Sequence, residues 1–316
     1  MADGRVRVAV VGAGDIGRGW AALCVANGWP VTLYDNESET LSHAMDDVGE
    51  RAQHLVQLDH ATVPDVEEGL GQLAAGRSLL QACQEAEWVI EAIHEDLIAK
   101  QKLFEGLESA ALKARVITSS TSTLSAGDIV ARCRRPDRVL VAHPMNPPEL
   151  IPLVEVLVHR QTDGAIVEIF KGWLRALGRI PVTLRKPVRG NIANRIAAAV
   201  WRECIQLVLD DVIGVDDLDR AVSLGPGLAW AAAGPHLSYH LAAGSRGMRG
   251  FLQQLAHTFE EIWGDLASWE KLEPEQQQRL SHAIEKAYAE NLEVIRKARD
   301  RRLAALLRVL DAKRGS

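Results

Sequence analysis

VRVAVVGAGDIGRGWAALCVANGWPVTLYD, residues 6–35, is the stretch of sequence that decides the fold. A short β-branched run ends in a glycine turn, a helical pattern follows, and VTLYD forms a second strand. Gly12 allows the tight turn, Gly14 lets a pyrophosphate approach the backbone, and Gly17 lets helix and strand pack closely. The helix N-terminus then offers free N–H groups and the positive end of its dipole to the phosphates. The pattern predicts a dinucleotide-binding Rossmann-type domain rather than a merely glycine-rich turn.

Asp35 ends the second strand, 18 residues after the last glycine of the turn. An acid at this place accepts hydrogen bonds from the adenosine ribose hydroxyls. Its neighbours Asn36 and Glu37 supply no cation for a 2′-phosphate, so the predicted cofactor is NAD rather than NADP. Asp15 and Ile16 lie inside the turn and are predicted cofactor-binding residues. Because an acid beside a pyrophosphate is electrostatically unfavourable, we expect the Asp15 side chain to face solvent or to cap backbone donors.

The length and composition are those of a globular protein with two domains. The chain has 316 residues, of which 47% are hydrophobic and 25% charged. Its net charge of −6 argues against a nucleic-acid surface. No apolar run reaches the ~18 residues that a membrane span needs, and the chain enters a strand without room for a signal segment. We expect a cytoplasmic protein.

The four cysteines indicate neither disulfides nor a structural zinc site. Cys24, Cys83, Cys133 and Cys204 are far apart and form no CxxC pair. We expect each of them to fill a core position as a small hydrophobic residue.

The remainder of the chain divides into an α/β part and a helical part. Residues 37–86 have a helical pattern broken at 62–64, which predicts two helices inserted between the second strand and the third, WVIEAI. After the hinge at 186–190 only helical periodicity remains. The prediction is therefore an α/β fold. A doubly wound Rossmann domain, which contains the helical insertion, covers residues 1–187, and an all-α domain covers residues 188–316.

A cluster of hydroxyl residues at 118–123 follows a predicted strand. Hydroxyls at the carboxyl end of a strand lie where ligands bind in sheets of this kind. Alternatively, Ser and Thr simply cap the next helix. Ser125 can form that cap alone, which leaves Ser122 free for a ligand.

VLVAHPMNPPELIPLVEVLV, residues 139–158, carries one histidine at the end of an apolar run and one glutamate inside another. An ionisable group within a buried strand is costly unless it has a partner. Glu155 comes twelve positions after His143, which is enough for the chain to turn back, so we expect a base and its orienting carboxylate. The alternative is a histidine on a helix or at a sheet edge and a surface-facing glutamate on a half-exposed strand.

The ordered combination of GAGDIG, HEDLIAK, SSTS, HPMNPPELIPLVEV and GNIANRIA resembles the 3-hydroxyacyl-CoA dehydrogenase superfamily. The HPxNPP form of the fourth motif is most similar to the branch that contains lambda-crystallin, L-gulonate 3-dehydrogenase and L-carnitine dehydrogenase. The resemblance implies NAD-dependent oxidation of the 3-hydroxyl of a small L-3-hydroxy carboxylic acid to the 3-keto acid. It also implies a homodimer that forms through the helical domain.

The resemblance also implies roles for seven polar residues. His143 would be the general base, and Glu155 its carboxylate partner. Ser122 and Asn194 would hold the reacting oxygen, and Asn146 would shape the site near the cofactor. Glu95 and Lys100 would contact the nicotinamide half of the cofactor.

The substrate is left open by the sequence. The segment from Asp46 to Glu87 carries nine acids and only two bases, Arg51 and Arg77, which disfavours the multiply charged acyl-CoA. Ala229 stands where the resemblance implies an arginine for the substrate carboxylate. Trp230, Arg246 and Arg249 are predicted substrate residues, and either arginine can replace the missing one.

Two further alternatives concern metal binding and the loss of catalysis. His236 and His240 are one helical turn apart, but no acid joins them in an HExxH arrangement, so pocket-lining or surface roles are favoured over a metal site. A crystallin-like structural protein that binds NAD without turnover is disfavoured, because the residues that the chemistry requires are all present.

Overall fold

The computed structural model describes residues 5–312, in which a single eight-stranded sheet precedes a series of helices. The strands are β1 Val8–Val11, β2 Val31–Tyr34, β3 Leu73–Ala75, β4 Trp88–Glu91, β5 Val116–Ser119, β6 Val139–Pro144, β7 Leu153–Val158 and β8 Ile180–Thr183. Their order in the sheet is β3-β2-β1-β4-β5-β6-β7-β8. All neighbours are parallel except β6 and β7, which are antiparallel. The chain leaves β1 on one side toward β2 and returns on the other as β4, so the doubly wound fold is confirmed.

Helices cover both faces of this sheet. They are α1 Asp15–Ala26, α2 Ser38–Gln57, α3 Val63–Gly71, α4 Leu79–Cys83, α5 Leu97–Ala110, α6 Ala126–Ile129 and α7 Gly164–Ala176. In β1, Val8 and Val10 belong to one hydrophobic cluster, whereas Ala9 and Val11 belong to the other. A strand buried on both faces is apolar at every position, which explains the run VAVV.

The inserted helices α2 and α3 lie between β2 and the next strand, as the periodicity predicts. In α2 the buried residues recur at helical spacing, as Ala44, Val48, Ala52 and Leu55. The short edge strand β3, with the sequence LAA, was not predicted. Its three residues include neither a β-branched nor an aromatic side chain, so the segment carries no strand signal.

The cysteine prediction was only half right. Cys24 and Cys83 are buried, but Cys133 and Cys204 are only partly buried. The last two lie near the end of an irregular helical segment and on a helix surface, where burial is incomplete. All four are free thiols.

The chain divides into two compact units. The first runs up to Arg195 and includes Asp300–Ala305, and the second consists of Ile196–Arg299 and the chain from Leu306 onward. The helices that follow the sheet are α8 Ala193–Leu209, α9 Val215–Leu224, α10 Pro226–Ala233, α11 Pro235–Ala242, α12 Gly247–Asp265, α13 Pro274–Ala287 and α14 Leu292–Ala312. The all-α second part is thereby confirmed, while the boundary between residues 187 and 188 stays a prediction.

Candidate active site

The glycine turn follows β1 at the point where the strand order reverses. Gly12 has a φ of +105°, and a Cβ there would lie 2.5 Å from the carbonyl oxygen of Ala92. A Cβ on Gly17 would overlap the Gly12 carbonyl, whereas a Cβ on Gly14 would meet nothing within 4 Å. The first and third glycines are therefore required by the packing of the turn, and the second leaves open space in front of the helix N-terminus. This open space fits the approach of a pyrophosphate.

A cleft of about 660 Å³ opens beside this turn and contains Asp35. The Oδ2 atom of Asp35 accepts a hydrogen bond from the N–H of Ala13 at 2.7 Å, and Oδ1 accepts one from Glu37 at 3.0 Å. Glu37 lines the same cleft, and neither Lys nor Arg is among its lining residues. The negative charge at this end of the cleft favours ribose hydroxyls, which can donate hydrogen bonds to a carboxylate, and repels a 2′-phosphate.

His94 also lines the cleft, together with Leu79 and Leu103. Sequence reasoning missed these three residues. The position of His94 directly after the strand WVIEAI, at the carboxyl edge of the sheet, was the available signal.

Asp15 is the one residue of the turn whose partner was not foreseen. About half of its side chain is exposed, as expected, but its Oδ1 atom lies 2.5 Å from Nη2 of Arg51 and caps no backbone donor within the described residues. Burial raises the pKa of this carboxyl, and Arg51, with help from Asn146 and Arg18, outweighs that effect and holds the pKa below its ordinary value. Ile16, beside it, is half-buried and packs against the hydrophobic core.

His143 and Glu155 face each other across the antiparallel pair β6–β7. Nδ1 of His143 lies 2.9 Å from Oε2 of Glu155, and the two residues are only 5% and 1% exposed. The other carboxylate oxygen, Oε1, accepts hydrogen bonds from the N–H groups of Ile192 at 2.8 Å and Ala193 at 3.0 Å. The predicted pairing is thus present, and the alternative of an edge histidine with a surface glutamate is wrong.

The protonation pattern of this pair follows from its partners. An ionised carboxylate only accepts hydrogen bonds, so the neutral imidazole of His143 would carry its proton on Nδ1 and its lone pair on Nε2. The amide Nδ2 of Asn194 lies 3.5 Å from that Nε2 atom. In that tautomer Nε2 would lie unprotonated beside an amide donor, which is the arrangement that a general base requires.

Glu95 organises the hydroxyl loop after β5. Its Oε1 atom accepts hydrogen bonds from the hydroxyls of Thr121 at 2.5 Å and Thr123 at 2.8 Å, and from the N–H groups of Ser122 at 3.1 Å and Thr123 at 3.0 Å. Burial raises the pKa of Glu95, but these donors and Lys100 bring it below its ordinary value. The loop thereby holds Ser122, while Ser125 caps α6 by accepting from Asp128, as predicted.

Lys100 corrects an expectation, because it offers no surface to a cofactor. Its side chain is 1% exposed, and Nζ lies 2.5 Å from Oε1 of Glu91, 3.1 Å from the carbonyl of Ile93 and 3.5 Å from Oε2 of Glu95. The Lys100 ammonium is thus enclosed by Glu91, Ile93 and Glu95, and a role of Lys100 or Glu95 at the nicotinamide stays a prediction. An amphipathic pattern cannot show that a lysine turns inward.

Glu91 is the buried partner that sequence reasoning missed. It ends β4, has no exposed surface, and accepts from Ser119 Oγ at 2.5 Å and from Ile93 N at 2.8 Å. Burial raises the pKa of its carboxyl against the opposing effect of Lys100. The signal was available, because Glu91 interrupts the apolar run WVIEAI as Glu155 interrupts LVEVLV.

The other predicted site residues are Asn146 in the first unit and Trp230, Arg246 and Arg249 in the second. Asn146 is exposed, and its side chain helps to hold the pKa of Asp15 below its ordinary value. Trp230, in α10, is half-buried, and Arg246 and Arg249 are exposed in the second unit, where Arg246 donates to Gln254 at 2.7 Å. Their role in substrate binding stays a prediction.

The two histidines of α11 have different surroundings. His240 accepts a hydrogen bond from the N–H of Met248 at 3.0 Å, and His236 is exposed. Across residues 5–312, no group of three or more His, Cys, Asp or Glu side chains is arranged to hold a metal ion.

Comparison with known proteins assigns the chain to one family. Residues 7–187 match the NAD-binding domain of 3-hydroxyacyl-CoA dehydrogenase, and residues 190–282 match its C-terminal domain. The chain belongs to the 3-hydroxyacyl-CoA dehydrogenase family. Membership makes this chain an NAD-dependent oxidoreductase that acts on CH–OH groups, in agreement with the predicted enzyme class and cofactor.

Relatives within the 3-hydroxyacyl-CoA dehydrogenase family include proteins named L-carnitine dehydrogenase. The one from Burkholderia mallei is 36% identical over 82% of this chain and 80% of its own length. The one from Nocardiopsis dassonvillei is 32% identical over 96% of this chain and 91% of its own length. The crystal structure of 5-formyl-3-hydroxy-2-methylpyridine 4-carboxylic acid 5-dehydrogenase, described as an NAD⁺-dependent dismutase, superposes with a TM-score of 0.81 at 25% identity, covering 97% of this chain and 99% of that one.

None of the helices in the described part of the chain combines the length and the hydropathy that crossing a bilayer requires.

Proposed function

We propose that this protein oxidises the 3-hydroxyl of a small, carnitine-like L-3-hydroxy carboxylic acid to the 3-keto acid, with His143 as the general base. The His143–Glu155 pair carries the proposal. Glu155 contacts Nδ1 of His143, which leaves Nε2 as the ring nitrogen available to the substrate, 3.5 Å from the amide nitrogen of Asn194. The relatives named L-carnitine dehydrogenase support the substrate class.

The chemistry assigned to each residue follows from its contacts. Nε2 of His143 takes the hydroxyl proton as the carbonyl forms, and Glu155 stabilises the resulting imidazolium through the 2.9 Å contact at Nδ1. Bound NAD⁺ supplies the hydride acceptor. Ser122 and Asn194 hold the reacting oxygen, and the loop fixed by Glu95 keeps Ser122 in place. In the reverse direction His143 returns the same proton.

The charge of the helical insertion favours a small acid over an acyl-CoA. Arg51, one of its two bases, is already paired with Asp15, Asp47 and Glu149. That guanidinium is therefore not free to bind the phosphates of CoA. A small hydroxy acid needs only one cation for its carboxylate, and Arg246 and Arg249 are the candidates for this role.

A substrate panel with NAD⁺ tests the substrate class. We expect kcat/KM for L-carnitine to exceed the values for L-gulonate, L-3-hydroxybutyrate and its CoA ester. A higher value for the CoA ester would overturn the small-acid assignment. A higher value for L-gulonate would replace L-carnitine as the proposed substrate and keep the protein in the same branch of the family. NADH binding without turnover on any of the four would instead favour a catalytically inactive, crystallin-like protein.

The role of the base is tested separately with His143→Ala. We expect kcat to fall by about 10²–10⁴, the usual contribution of general-base catalysis, while the Kd for NADH stays within about twofold. Turnover within tenfold of the parent would remove His143 from the mechanism. Formation of a dimer and a cytoplasmic location also stay predictions, to be tested by light scattering and by fractionation.

A further inference from the structure

Arg51, on the inserted helix α2, contacts carboxylates from three different parts of the first unit. Nη2 lies 2.5 Å from Asp15 at the start of α1, and Nε lies 2.8 Å from Asp47 one turn earlier in α2. Nη1 lies 3.1 Å from Glu149 in the loop between β6 and β7. The Arg51 side chain is only 16% exposed, so solvent screens these contacts less than it screens a surface ion pair.

Asp15 has an unfavourable position for an anion-binding turn. It is the first residue of α1, immediately after Gly14, where the free N–H groups and the helix dipole receive the phosphates of a dinucleotide. An ionised carboxylate at this place repels the pyrophosphate. The nearby cation Arg18 forms its ion pair with Asp47 at 3.1 Å, whereas Arg51 contacts Asp15 directly.

The loop that carries Glu149 does not depend on Arg51 alone. The guanidinium of Arg179 donates to the carbonyls of Pro148 at 3.2 Å, Glu149 at 3.4 Å and Ile151 at 3.2 Å. Glu149 is 8% exposed and packs against Gly19, where an added Cβ would lie 2.6 Å from Oε2. Loss of Arg51 would therefore change the charge around the glycine turn more than the position of this loop.

We propose that Arg51 is a positioning residue for the cofactor, which holds the Asp15 carboxylate and neutralises its charge so that the turn accepts the pyrophosphate of NAD. The helical insertion thereby contributes a partly buried cation to the dinucleotide site. The inference concerns NAD binding alone and does not depend on the substrate or on the role of His143.

The test is a set of NADH titrations in the absence of substrate, in which binding is monitored by fluorescence. Arg51→Met is expected to raise the Kd for NADH about tenfold, which corresponds to ~1.4 kcal/mol. In the double variant Arg51→Met/Asp15→Asn, the Kd is expected to return to within about threefold of the parent, because the uncompensated charge is gone. Arg220→Met, which removes a surface arginine paired with Asp217 in the second unit, is the matched control and should leave the Kd unchanged.

The rescue by Asp15→Asn separates this role from a structural one. A double variant that binds NADH as weakly as Arg51→Met would show that Arg51 acts by holding Glu149 or the helix, and would overturn the proposal. If Arg51→Met does not fold, Asp15→Asn alone decides. It leaves Arg51 beside the turn without its closest carboxylate, and the Kd for NADH is then expected to fall about threefold. An unchanged or higher Kd would contradict the inference.

Discussion

Replacing Glu155 with Gln tests the catalytic pair most directly, because the substitution changes one oxygen of a carboxylate into a donor. Glu155 now accepts three hydrogen bonds, one from Nδ1 of His143 and two from the N–H groups of Ile192 and Ala193. A glutamine has one oxygen, and that oxygen will face the two backbone donors. Its NH₂ group then faces Nδ1 of His143.

The consequence is a change of tautomer. With a donor opposite Nδ1, the imidazole proton moves to Nε2, which is the nitrogen that must accept the substrate proton. In serine proteases, the equivalent replacement of the orienting carboxylate by an amide lowers kcat by ~10⁴ for this reason. We expect Glu155→Gln to lower kcat by about 10³–10⁴, a barrier increase of about 4–5.5 kcal/mol. The loss of one charge-assisted hydrogen bond should also destabilise the fold by about 1.5–3 kcal/mol.

The assays are steady-state kinetics on the best substrate of the panel, urea denaturation, and NADH titration as a control for folding of the cofactor site. Because residues that act as a unit are not additive, His143→Gln/Glu155→Gln should be about as slow as His143→Gln alone. A Glu155→Gln protein that turns over within tenfold of the parent would refute the tautomer argument. Additive losses in the double variant would refute the pairing.

Three further outcomes follow from the cofactor side of the site. Three variants are compared by urea denaturation: Lys100→Met, Glu91→Gln and the double variant. Lys100→Met leaves Glu91 buried without its cation and should lower the free energy of unfolding by about 3–5 kcal/mol. The loss of unfolding free energy in Lys100→Met/Glu91→Gln should be smaller than the sum of the losses in the two single variants. Asp35→Asn removes a charge that opposes a 2′-phosphate, so the Kd for NADPH should fall about tenfold (~1.4 kcal/mol) while that for NADH does not improve; equal changes for both would contradict the assignment. Glu95 has a pKa below its ordinary value of 4.5 in the folded state, so its stabilisation is present above pH 4.5 and is lost as the pH falls through the lower, folded value. The difference in stability between the parent and Glu95→Gln should therefore shrink on acidification, and a constant difference from pH 7 to pH 3 would show that the charge of Glu95 is not involved.

The sequence predicted those features that leave a local trace. The glycine spacing identified the cofactor turn, and a charged residue inside an apolar strand identified Glu155. The same trace identifies Glu91, which shows that an acid within a buried run is a general sign of a paired group. The edge strand β3 left no such trace, because Leu-Ala-Ala suits a helix as well as a strand.

Interactions between distant residues could not be predicted. Arg51 is 36 residues from Asp15 and 98 from Glu149, and no periodicity relates these positions. The inward turn of Lys100 is equally invisible, since lysine is almost never fully buried unless it is paired. In both cases the charged partner, known only from the folded chain, determines where the side chain points.

The hairpin register of β6 and β7 has a consequence for how such an enzyme changes during evolution or in the laboratory. His143 and Glu155 are opposite each other in the strand pairing itself, so the register of β6 and β7, rather than the loop between them, sets the distance between the two side chains. A deletion of one residue within β7 ahead of Glu155 would turn that carboxylate to the opposite face of the sheet. Grafting experiments aimed at new alcohols must therefore keep the two strands whole, and changes in the connecting loop must keep Glu149 for its contact with Arg51.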